Sequence, residues 1–438
     1  MTAGNDFQAL HPVPGIFVCP YHSDCHGQGF RHILIWRKGG AMKIFHLSDL
    51  HIGKKVYDFS MIPDQEYILN QILNLAEAEK PEAVILAGDI YDRTVPPAEA
   101  VSLMDSFLEK MAELCPAIFI ISGNHDSPER LAFGGGLMEK SGVYISPVYN
   151  GTVKRVTLED QWGPVDFYLL PFIKPAHVRA ALNSNKTDKI DNEEESEKIR
   201  TCTEAVKEAL KELPVNKDAV NIILSHQFVT GAVRSESEEV MIGGLDNVDA
   251  SAYENFDYVA LGHIHGPQTI SGKPGQIIRY CGTPLKYSFS ESGQEKSITV
   301  LETGAGGKME TRNLPLKPLR EMVEIKGTYS QVTEREFYKD TNWQEDYVRI
   351  TLTDEQDIPD AMARLRSIYK NLMRLDYDNA RTRNNWTPEE GGNENIRTPE
   401  ELIGDFYSRV NGHSMNDNQK AVCKSIFEGL SKKEMAER

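Results

Sequence analysis

The chain has 438 residues, of which 40% are hydrophobic and 26% are charged. This balance is typical of a globular protein with a sizeable core, and the length predicts two or three domains. The formal net charge of −17 argues against broad, non-specific binding to nucleic acid but leaves room for a local basic groove. No apolar run approaches the roughly 18 residues that a membrane helix needs, so no membrane partner is expected.

The six cysteines are scattered along the chain, which indicates the reduced thiols of a cytoplasmic protein rather than a disulfide framework. Residues 1–41 lack hydrophobic periodicity, and we expect a disordered extension before Met42. The alternative is a zinc knuckle, but no second ligand pair stands at finger spacing. That alternative would use Cys19, His22, Cys25 and His26.

Three strand–loop–helix units follow Met42. The run from Ile44 to Leu47 predicts a strand, residues 83–87 (AVILA) a second and residues 117–121 a third. Helical periodicity appears between them, up to Pro81 and again over about 98–114. This alternation predicts a mainly parallel α/β sheet, and such sheets place their ligands at the carboxyl ends of the strands.

Each predicted strand ends in residues that can bind a metal, and so do two strands of the second half, 221–224 and 258–261. Residues 167–170 also predict a strand, which leads to Pro171. A spacing of two residues puts side chains on one side of a strand, so pairs such as Asp49 and His51 can converge. Oxygen and imidazole donors gathered at one sheet edge predict a metal site. Its candidate ligands are Asp49, His51, Asp89, Asn124, His226, His263 and His265.

The ordered motifs DxH, GD, GNHD, an isolated His and GHxH resemble those of the calcineurin-like metallophosphoesterases. Within that superfamily the chain resembles the nuclease subunits of bacterial SbcC–SbcD complexes over roughly residues 42–438. The resemblance implies a two-sheet α/β metallophosphoesterase sandwich with a smaller α+β capping domain and a C-terminal helical tail. The segments that carry it are HLSDLHIGK, GDIYDRTVPP, GNHDSPERL, GHIHGPQ and CGTPLKYSFSE.

The resemblance also implies two divalent metal ions, with Mn²⁺ favoured and Mg²⁺ as the alternative, because the ligands are oxygens and imidazoles without a thiolate. Asp89 would bridge the two ions. The first ion would then be completed by Asp49, His51 and His265, and the second by Asn124, His226 and His263. Such a pair of ions can activate a water molecule for attack on a phosphodiester.

By the same resemblance, His125 contacts the scissile phosphate and helps to protonate the leaving oxygen. The carboxylate of Asp126 is expected to orient His125. Asp92 stands where some relatives carry a second active-site histidine, and a loop-capping carboxylate is an equally good interpretation. Lys54 and Lys55 are candidate DNA contacts, although exposed lysines are more often simply solvated.

Beyond residue 308 the composition changes. Alternating patterns predict strands over 321–326 and 346–352, and a helix is expected over about 359–372. The predicted domains are a nuclease domain, a capping domain, a linker and a helical pair that either grips the coiled coil of an SbcC-type ATPase, as in the family, or packs back on the core. Their bounds are 42–307, 308–384, 385–397 and 398–438.

The predicted function is a DNA nuclease that hydrolyses phosphodiesters in duplex ends, single strands and hairpins. It would act at the cytoplasmic nucleoid as a homodimer within a heterotetramer, and the absence of a Walker A pattern in the sequence assigns any ATP dependence to the partner. The alternatives are a phosphoesterase for small phosphodiesters or phosphoproteins, and a metal-free scaffold. The candidate dimer surface, which could equally pack on the sheet, consists of Leu131, Leu137 and three residues predicted to share one face of the helix over about 98–114, namely Val101, Met104 and Leu108.

Overall fold

The computed structural model describes residues 40–185, 199–235, 247–380 and 414–424, with residues 238, 382, 403–404 and 407–408. The predicted linker, nearly all of the predicted N-terminal extension and most of the predicted C-terminal helical pair lie outside these residues. The chain divides into two compact units. The first comprises 1–324, 341–349 and 369–374, and the second comprises 325–340, 350–368 and 375–438.

Strands in the first 315 residues supply two six-stranded sheets and two small pairs. In chain order they are β1 (Lys43–Leu47), β2 (Lys55–Val56), β3 (Phe59–Ser60), β4 (Ala83–Ala87), β5 (Ala117–Ile121), β6 (Val143–Ile145), β7 (Lys154–Asp160), β8 (Gly163–Leu169), β9 (Val220–Ser225), β10 (Phe228–Val229), β11 (Asn247–Val248), β12 (Tyr258–Leu261), β13 (Gln268–Ile270), β14 (Ile277–Tyr280), β15 (Ser297–Thr303) and β16 (Met309–Pro315).

The helices of this region are α1 (Ile62–Glu79), α2 (Ala98–Leu114), α3 (Pro128–Leu131), α4 (Gly135–Met138), α5 (Pro175–Asn185) and α6 (Cys202–Lys211). Proline in the first turn of α1 and a left-handed Lys80 after its last turn mark the two ends of that helix. At α6, Thr201 and Glu204 form a capping box that satisfies the exposed amides of the first turn.

The first sheet has the strand order β16-β15-β1-β4-β5-β6, and the second has the order β13-β14-β12-β9-β8-β7. Strands β1, β4, β5 and β6 run parallel, as do β8, β9, β12 and β14. One apolar cluster lies between the sheets, where the Phe119 and Phe167 rings stack at 4.2 Å. Two further clusters bury α1 and α2 on one outer face and α6 on the other. The predicted α/β sandwich is confirmed.

Three more strands, β17 (Met322–Gly327), β18 (Tyr347–Leu352) and β19 (Asn371–Tyr377), form a separate sheet in that order. The short helices α7 (Tyr329–Thr333), α8 (Arg335–Tyr338) and α9 (Ala361–Arg366) connect them in the chain. Among the described residues, no helix is long and apolar enough to cross a bilayer.

Three expectations differ from the structure. Residues 309–315, which the prediction placed in the capping domain, form the edge strand β16 of the first sheet. The helix expected over 359–372 is wrong beyond Arg366, because residues 371–377 join the three-stranded sheet as β19. On α2 the buried positions are Ala100, Met104, Phe107 and Met111, so Val101 does not share the buried face with Met104.

His46 is fully buried on β1, and its Nδ1 lies 2.9 Å from the hydroxyl of Tyr258. Burial and the nearby charge of Arg279 lower the pKa of this imidazole to about 3. In the unfolded chain His46 is protonated below about pH 6.5, whereas in the folded chain it stays neutral. The free energy of unfolding therefore falls as the pH drops below that value.

We expect the wild type to lose about 2 kcal/mol more unfolding free energy than His46→Asn between pH 7 and pH 5. Urea unfolding at the two pH values measures the difference. Asparagine can still bond Tyr258, so the variant isolates the titration. Parallel stability curves for the two proteins would contradict the assignment.

Candidate metal centre

The carboxyl ends of β1, β4 and β5 in the first sheet meet those of β9 and β12 in the second. All the candidate ligands of the sequence follow these strand ends and lie together there. Asp49, Asp89 and His226 are buried, as are His51 and His265. The five strands of two sheets thus deliver their polar residues to one point, as expected of parallel α/β sheets.

Asp49, His51 and His265 form a first donor set, whose ligand atoms lie within 4.8 Å of one another. The Nε2 atoms of the two histidines are 3.2 Å apart. When both Nε2 atoms are unprotonated, they can bind one cation from two sides. The set agrees with the predicted first metal shell, which stays a prediction.

Asn124, His226 and His263 form a second donor set. Asn124 Oδ1 lies 3.1 Å from His226 Nε2 and 3.0 Å from His263 Nδ1. The other nitrogen of His226, Nδ1, donates to the carbonyl oxygen of Ala87 at 2.8 Å. That bond sets the tautomer that presents Nε2 as a ligand.

Asp89 lies between the two sets. Its Oδ2 is 3.2 Å from His226 Nε2 and 3.7 Å from His51 Nε2. It joins His226 and Asp49 in one potential metal-binding group and His51 and His125 in another. This position is the one that a bridging carboxylate requires, and the bridging role remains a proposal.

Local backbone geometry makes the convergence possible. Asp49, His51 and Asp89 adopt left-handed φ values of 53°, 45° and 49°, which are uncommon for residues with a Cβ atom. A Cβ atom on Gly88 would lie 2.3 Å from His226 Nδ1, so only glycine admits the imidazole there. Such strain persists where the surrounding structure enforces it, typically at functional sites.

The charges of the centre are strongly coupled. Burial raises the pKa of Asp49 to about 6, although the nearby His226 opposes this shift. For Asp89, burial is outweighed by the charges of His226 and His51 and by the His226 hydrogen bond, so its pKa lies well below the usual range. Burial also lowers the pKa of His51, and it lowers that of His263 to about 3. At His226, burial is outweighed by the charge and hydrogen bond of Asp89 and by the charge of Asp49, which raise the pKa of that imidazole to about 9. Neutral imidazoles and ionised carboxylates are the forms that bind metal, so the shifts of Asp89, His51 and His263 favour binding, whereas those of Asp49 and His226 oppose it.

The donor chemistry fits divalent cations. The cluster offers carboxylate, amide and imidazole donors, which suit ions such as Mn²⁺ and Mg²⁺. The Cys281 thiol lies 3.0 Å from Ser48 Oγ next to the cluster. Burial raises the pKa of this thiol to about 12, so it stays protonated and is a poor ligand.

Comparisons with known proteins show the family of the chain. Residues 42–267 match the family model described as calcineurin-like phosphoesterase, and residues 318–411 match the type 5 capsule protein repressor C-terminal domain, SbcD_C. The SbcD component of the SbcCD nuclease from Staphylococcus saprophyticus subsp. saprophyticus is 31% identical over 398 residues, which cover 89% of this chain and 98% of that protein. This chain belongs to the SbcD family of calcineurin-like phosphoesterases.

A second SbcD protein is also similar. The SbcD component of the SbcCD nuclease from Staphylococcus epidermidis is 34% identical over 344 residues, covering 76% of this chain and 85% of that protein. Among solved structures, a dimetal phosphatase from Danio rerio is 11% identical with a TM-score of 0.39, and the match covers 64% of this chain and 98% of that one.

The loop after β5, which carries the sequence GNHD, places His125 at the rim of the centre. The His125 amide donates to Asp89 Oδ1 at 2.9 Å, and its ring lies edge-to-face against His51 at 4.8 Å. His125 Nδ1 donates to the carbonyl oxygen of Asp92 at 3.0 Å. The imidazole therefore presents Nε2 as the atom available for proton transfer.

The structure changes the expectation for Asp126. Its carboxylate accepts bonds from the amides of Ile90, Tyr91 and Gly123. Asp126 therefore ties the loop after β4 to the loop after β5. The group that bonds the ring of His125 is the carbonyl oxygen of Asp92 and not the Asp126 carboxylate.

Asp92 and the two lysines also have defined surroundings. Lys54 Nζ lies 2.7 Å from the Asp92 carboxylate, which is 3.6 Å from His51 Nδ1. The Lys54 side chain is only 17% exposed and is already paired with Asp92, so it is a weaker candidate for a DNA contact. Lys55 is exposed and keeps its candidacy.

Several supporting residues escaped sequence reasoning. Glu291 Oε1 lies 3.3 Å from His265 Nδ1, and Glu291 Oε2 lies 2.6 Å from the buried Lys296 Nζ. Gln65 Nε2 donates to the His51 carbonyl oxygen at 2.7 Å. The motif CGTPLKYSFSE ends in Glu291, but nothing in the sequence marks Lys296 as buried, because lysine is usually exposed.

Lys296→Met is expected to reduce the unfolding free energy by roughly 3–5 kcal/mol, because the Glu291 carboxylate would be left buried without its cation. The lysine also donates to Thr283 and to the His265 carbonyl oxygen, at 2.8 and 3.0 Å. Urea unfolding without added metal measures the loss. The double variant Lys296→Met/Glu291→Gln removes the orphaned charge and should recover part of it; equal losses in both proteins would contradict the explanation.

Proposed function

We propose that this chain is the metal-dependent nuclease subunit of an SbcC–SbcD-type complex that processes DNA ends. It would degrade duplex ends as an exonuclease and cut single strands and hairpins as an endonuclease. The observation that carries the proposal is that two sets of donor side chains lie at the strand ends, with the Asp89 carboxylate 3.2 Å from His226 Nε2 in one set and 3.7 Å from His51 Nε2 in the other. The family of the chain, and its match to 98% of a protein named as part of the SbcCD nuclease, support it further.

The proposed roles follow the geometry of the donor sets. Asp49, His51 and His265 would hold one cation, Asn124, His226 and His263 a second, and Asp89 both. Two divalent ions so placed supply Lewis-acid stabilisation of the phosphodiester and lower the pKa of a water molecule. Glu291 and the Ala87 carbonyl oxygen orient His265 and His226 through their Nδ1 atoms.

His125 is the proposed general acid. Because its Nδ1 is held by the Asp92 carbonyl oxygen, a protonated imidazole can give only its Nε2 proton to the leaving oxygen. Asp92 thus contributes its backbone oxygen to His125 and its carboxylate to the surroundings of His51. Lys55 would contact a backbone phosphate outside the centre.

Mn²⁺ is the proposed metal, with Mg²⁺ as the alternative, because the donor set is rich in imidazole and lacks a thiolate. The proposed partner is an SbcC-type ATPase whose coiled coil is bound by residues 398–438. The protein would work at the cytoplasmic nucleoid, where linear duplex ends and hairpins arise, and the scattered cysteines support that location.

A homodimer within the complex is also proposed. Of the five apolar residues predicted for this surface, Met104 is buried, whereas Val101 and Leu137 are 44% and 73% exposed. Phe133 is 84% exposed and lines the same cleft as Val101 and Leu131. An apolar patch of this kind favours burial against a second copy.

Phe133→Glu combined with Leu137→Glu is expected to convert the dimer into a monomer, because it places charges in an apolar interface. Light scattering after size exclusion measures the mass. Trp162→Glu, which changes another exposed aromatic residue at the β7–β8 turn, is the matched control. A double variant that keeps the mass of the dimer would refute this surface.

The test of the function compares substrates. The purified chain, alone and with an SbcC-type ATPase and ATP, would be given linear duplex DNA, hairpin DNA, bis(p-nitrophenyl) phosphate and a phosphopeptide in Mn²⁺, Mg²⁺ or EDTA. We expect metal-dependent cleavage of both DNAs, with hairpin cutting dependent on the ATPase. Turnover of the small diester or the phosphopeptide with no DNA cleavage under any condition would overturn the proposal.

A further inference from the structure

A cavity of about 380 Å³ opens beside the metal centre, between the segment after β8 and helix α5. Phe172 and Tyr149 are its aromatic lining residues, and the polar ones include Asn150, His177 and the acidic Glu129. The volume falls within the range of roughly 300–1,000 Å³ that is usual for small-molecule sites. None of its walls belongs to the proposed metal ligands.

Phe172 connects the cavity to the centre. Its ring lies edge-on to the ring of His226 at 6.3 Å. The Phe172 amide donates to the Ser122 carbonyl oxygen at 2.8 Å, and the Gln227 side chain donates to the Ile173 carbonyl oxygen at 2.9 Å. The segment is therefore held by the two loops that carry Asn124 and His226, and the cavity keeps a defined position relative to the cleavage point.

An exposed cation lies near the Phe172 ring, although it does not line the cavity. The Nζ atom of Lys174 lies 5.6 Å from the centroid of the Phe172 ring, and Lys174 is exposed. The Lys174 amide donates to His177 Nδ1 at 3.3 Å, which leaves the other ring nitrogen of His177 as a donor. Aromatic walls, polar groups and an exposed cation are the elements with which proteins hold single nucleotides.

We propose that this cavity is a nucleobase subsite, which receives an unpaired base next to the scissile phosphate while Lys174 contacts the phosphate beyond it. The proposal rests on the proposed nuclease function and names how the same centre holds its strand. A base can enter only if it leaves its partner strand, so the subsite favours frayed ends, single strands and hairpin loops over paired duplex.

Two chromogenic diesters test the subsite without DNA. p-Nitrophenyl thymidine 5′-phosphate carries a base, and bis(p-nitrophenyl) phosphate does not. We expect the wild type to prefer the thymidine ester, and Phe172→Ala to lower the ratio of the two kcat/KM values by about 10-fold or more, since base stacking contributes a factor of that order. Phe172→Tyr should restore the ratio, and Trp162→Ala, at the opposite end of the sheet, should not move it.

Because Phe172 packs near His226, Tyr149→Ala serves as a second variant away from the ligands and should lower the same ratio. Equal kcat/KM values for the two esters in the wild type, or a ratio unchanged in both variants, would overturn the subsite even if DNA is cleaved.

Equilibrium binding tests the subsite if no ester is turned over. The fluorescence of 2-aminopurine deoxyriboside 5′-monophosphate should be quenched by stacking in the wild type, and Phe172→Ala should need concentrations at least about 10-fold higher for the same quenching. Absence of quenching in the wild type would overturn the subsite. Quenching without DNA cleavage would keep the subsite and reject the nuclease function, so the two failures are distinguishable.

Discussion

Replacing Asp89 by Asn is expected to abolish nuclease activity, with a loss on the order of 10³-fold or more in kcat. The variant keeps the shape of the side chain but removes the carboxylate that approaches both donor sets, at 3.2 Å from His226 Nε2 and 3.7 Å from His51 Nε2. The remaining carboxylate of the predicted ligands, Asp49, belongs to the first set. We therefore expect bound metal to fall from two ions to one or none per chain.

Metal analysis of the purified protein, and Mn²⁺-dependent cleavage of hairpin DNA in the presence of the SbcC-type ATPase and ATP, measure the two effects. Asp166→Asn is the matched control, because Asp166 is a buried carboxylate of β8 that bonds Tyr168 and lies outside the centre. It should keep metal and activity. An Asp89→Asn variant with two bound ions and wild-type cleavage would refute the bridging role.

His125→Ala is expected to slow DNA cleavage by about 10²- to 10⁴-fold, the usual contribution of a general acid, while leaving both metals in place. Its amide bonds Asp89 through the backbone, which alanine preserves. The loss should be much smaller with bis(p-nitrophenyl) phosphate, because a nitrophenolate leaves without a proton.

The potential ligand atoms of His125, His51 and Asp89 lie within 4.8 Å of one another, so His125 could also bind a metal. Comparison of the two substrates separates proton donation from metal binding. A variant that loses a metal ion, or that slows both substrates equally, would show that His125 acts as a ligand and not as the proton donor. His125→Gln offers a polar replacement of similar size as a second check.

The strands that carry the centre were predictable from the sequence. AVILA and residues 117–121 are buried along their whole length, and such strands appear as continuous apolar runs. Since parallel strands end at one edge, the residues after them were expected to meet. The structure brings them together, although their roles toward each metal remain predictions.

Other features depend on contacts that no local pattern records. The sequence of α2 does not show that Val101 is exposed, because the apolar residues of this helix cover a wider face than the one that is buried. Residues 371–377 form a strand because they pair with the edge of β18. The role of Asp126 depends on three amides from two loops, and the buried Lys296 is recognisable only beside Glu291.

The most direct test of the metal centre is the anomalous scattering of crystals of the wild-type protein loaded with Mn²⁺. We expect two manganese peaks per chain about 3.5–4 Å apart, the usual spacing of a two-metal site, with Asp89 between them. Asp49, His51 and His265 should surround one peak, and Asn124, His226 and His263 the other. A single peak, or manganese bound away from Asp89, would contradict the account.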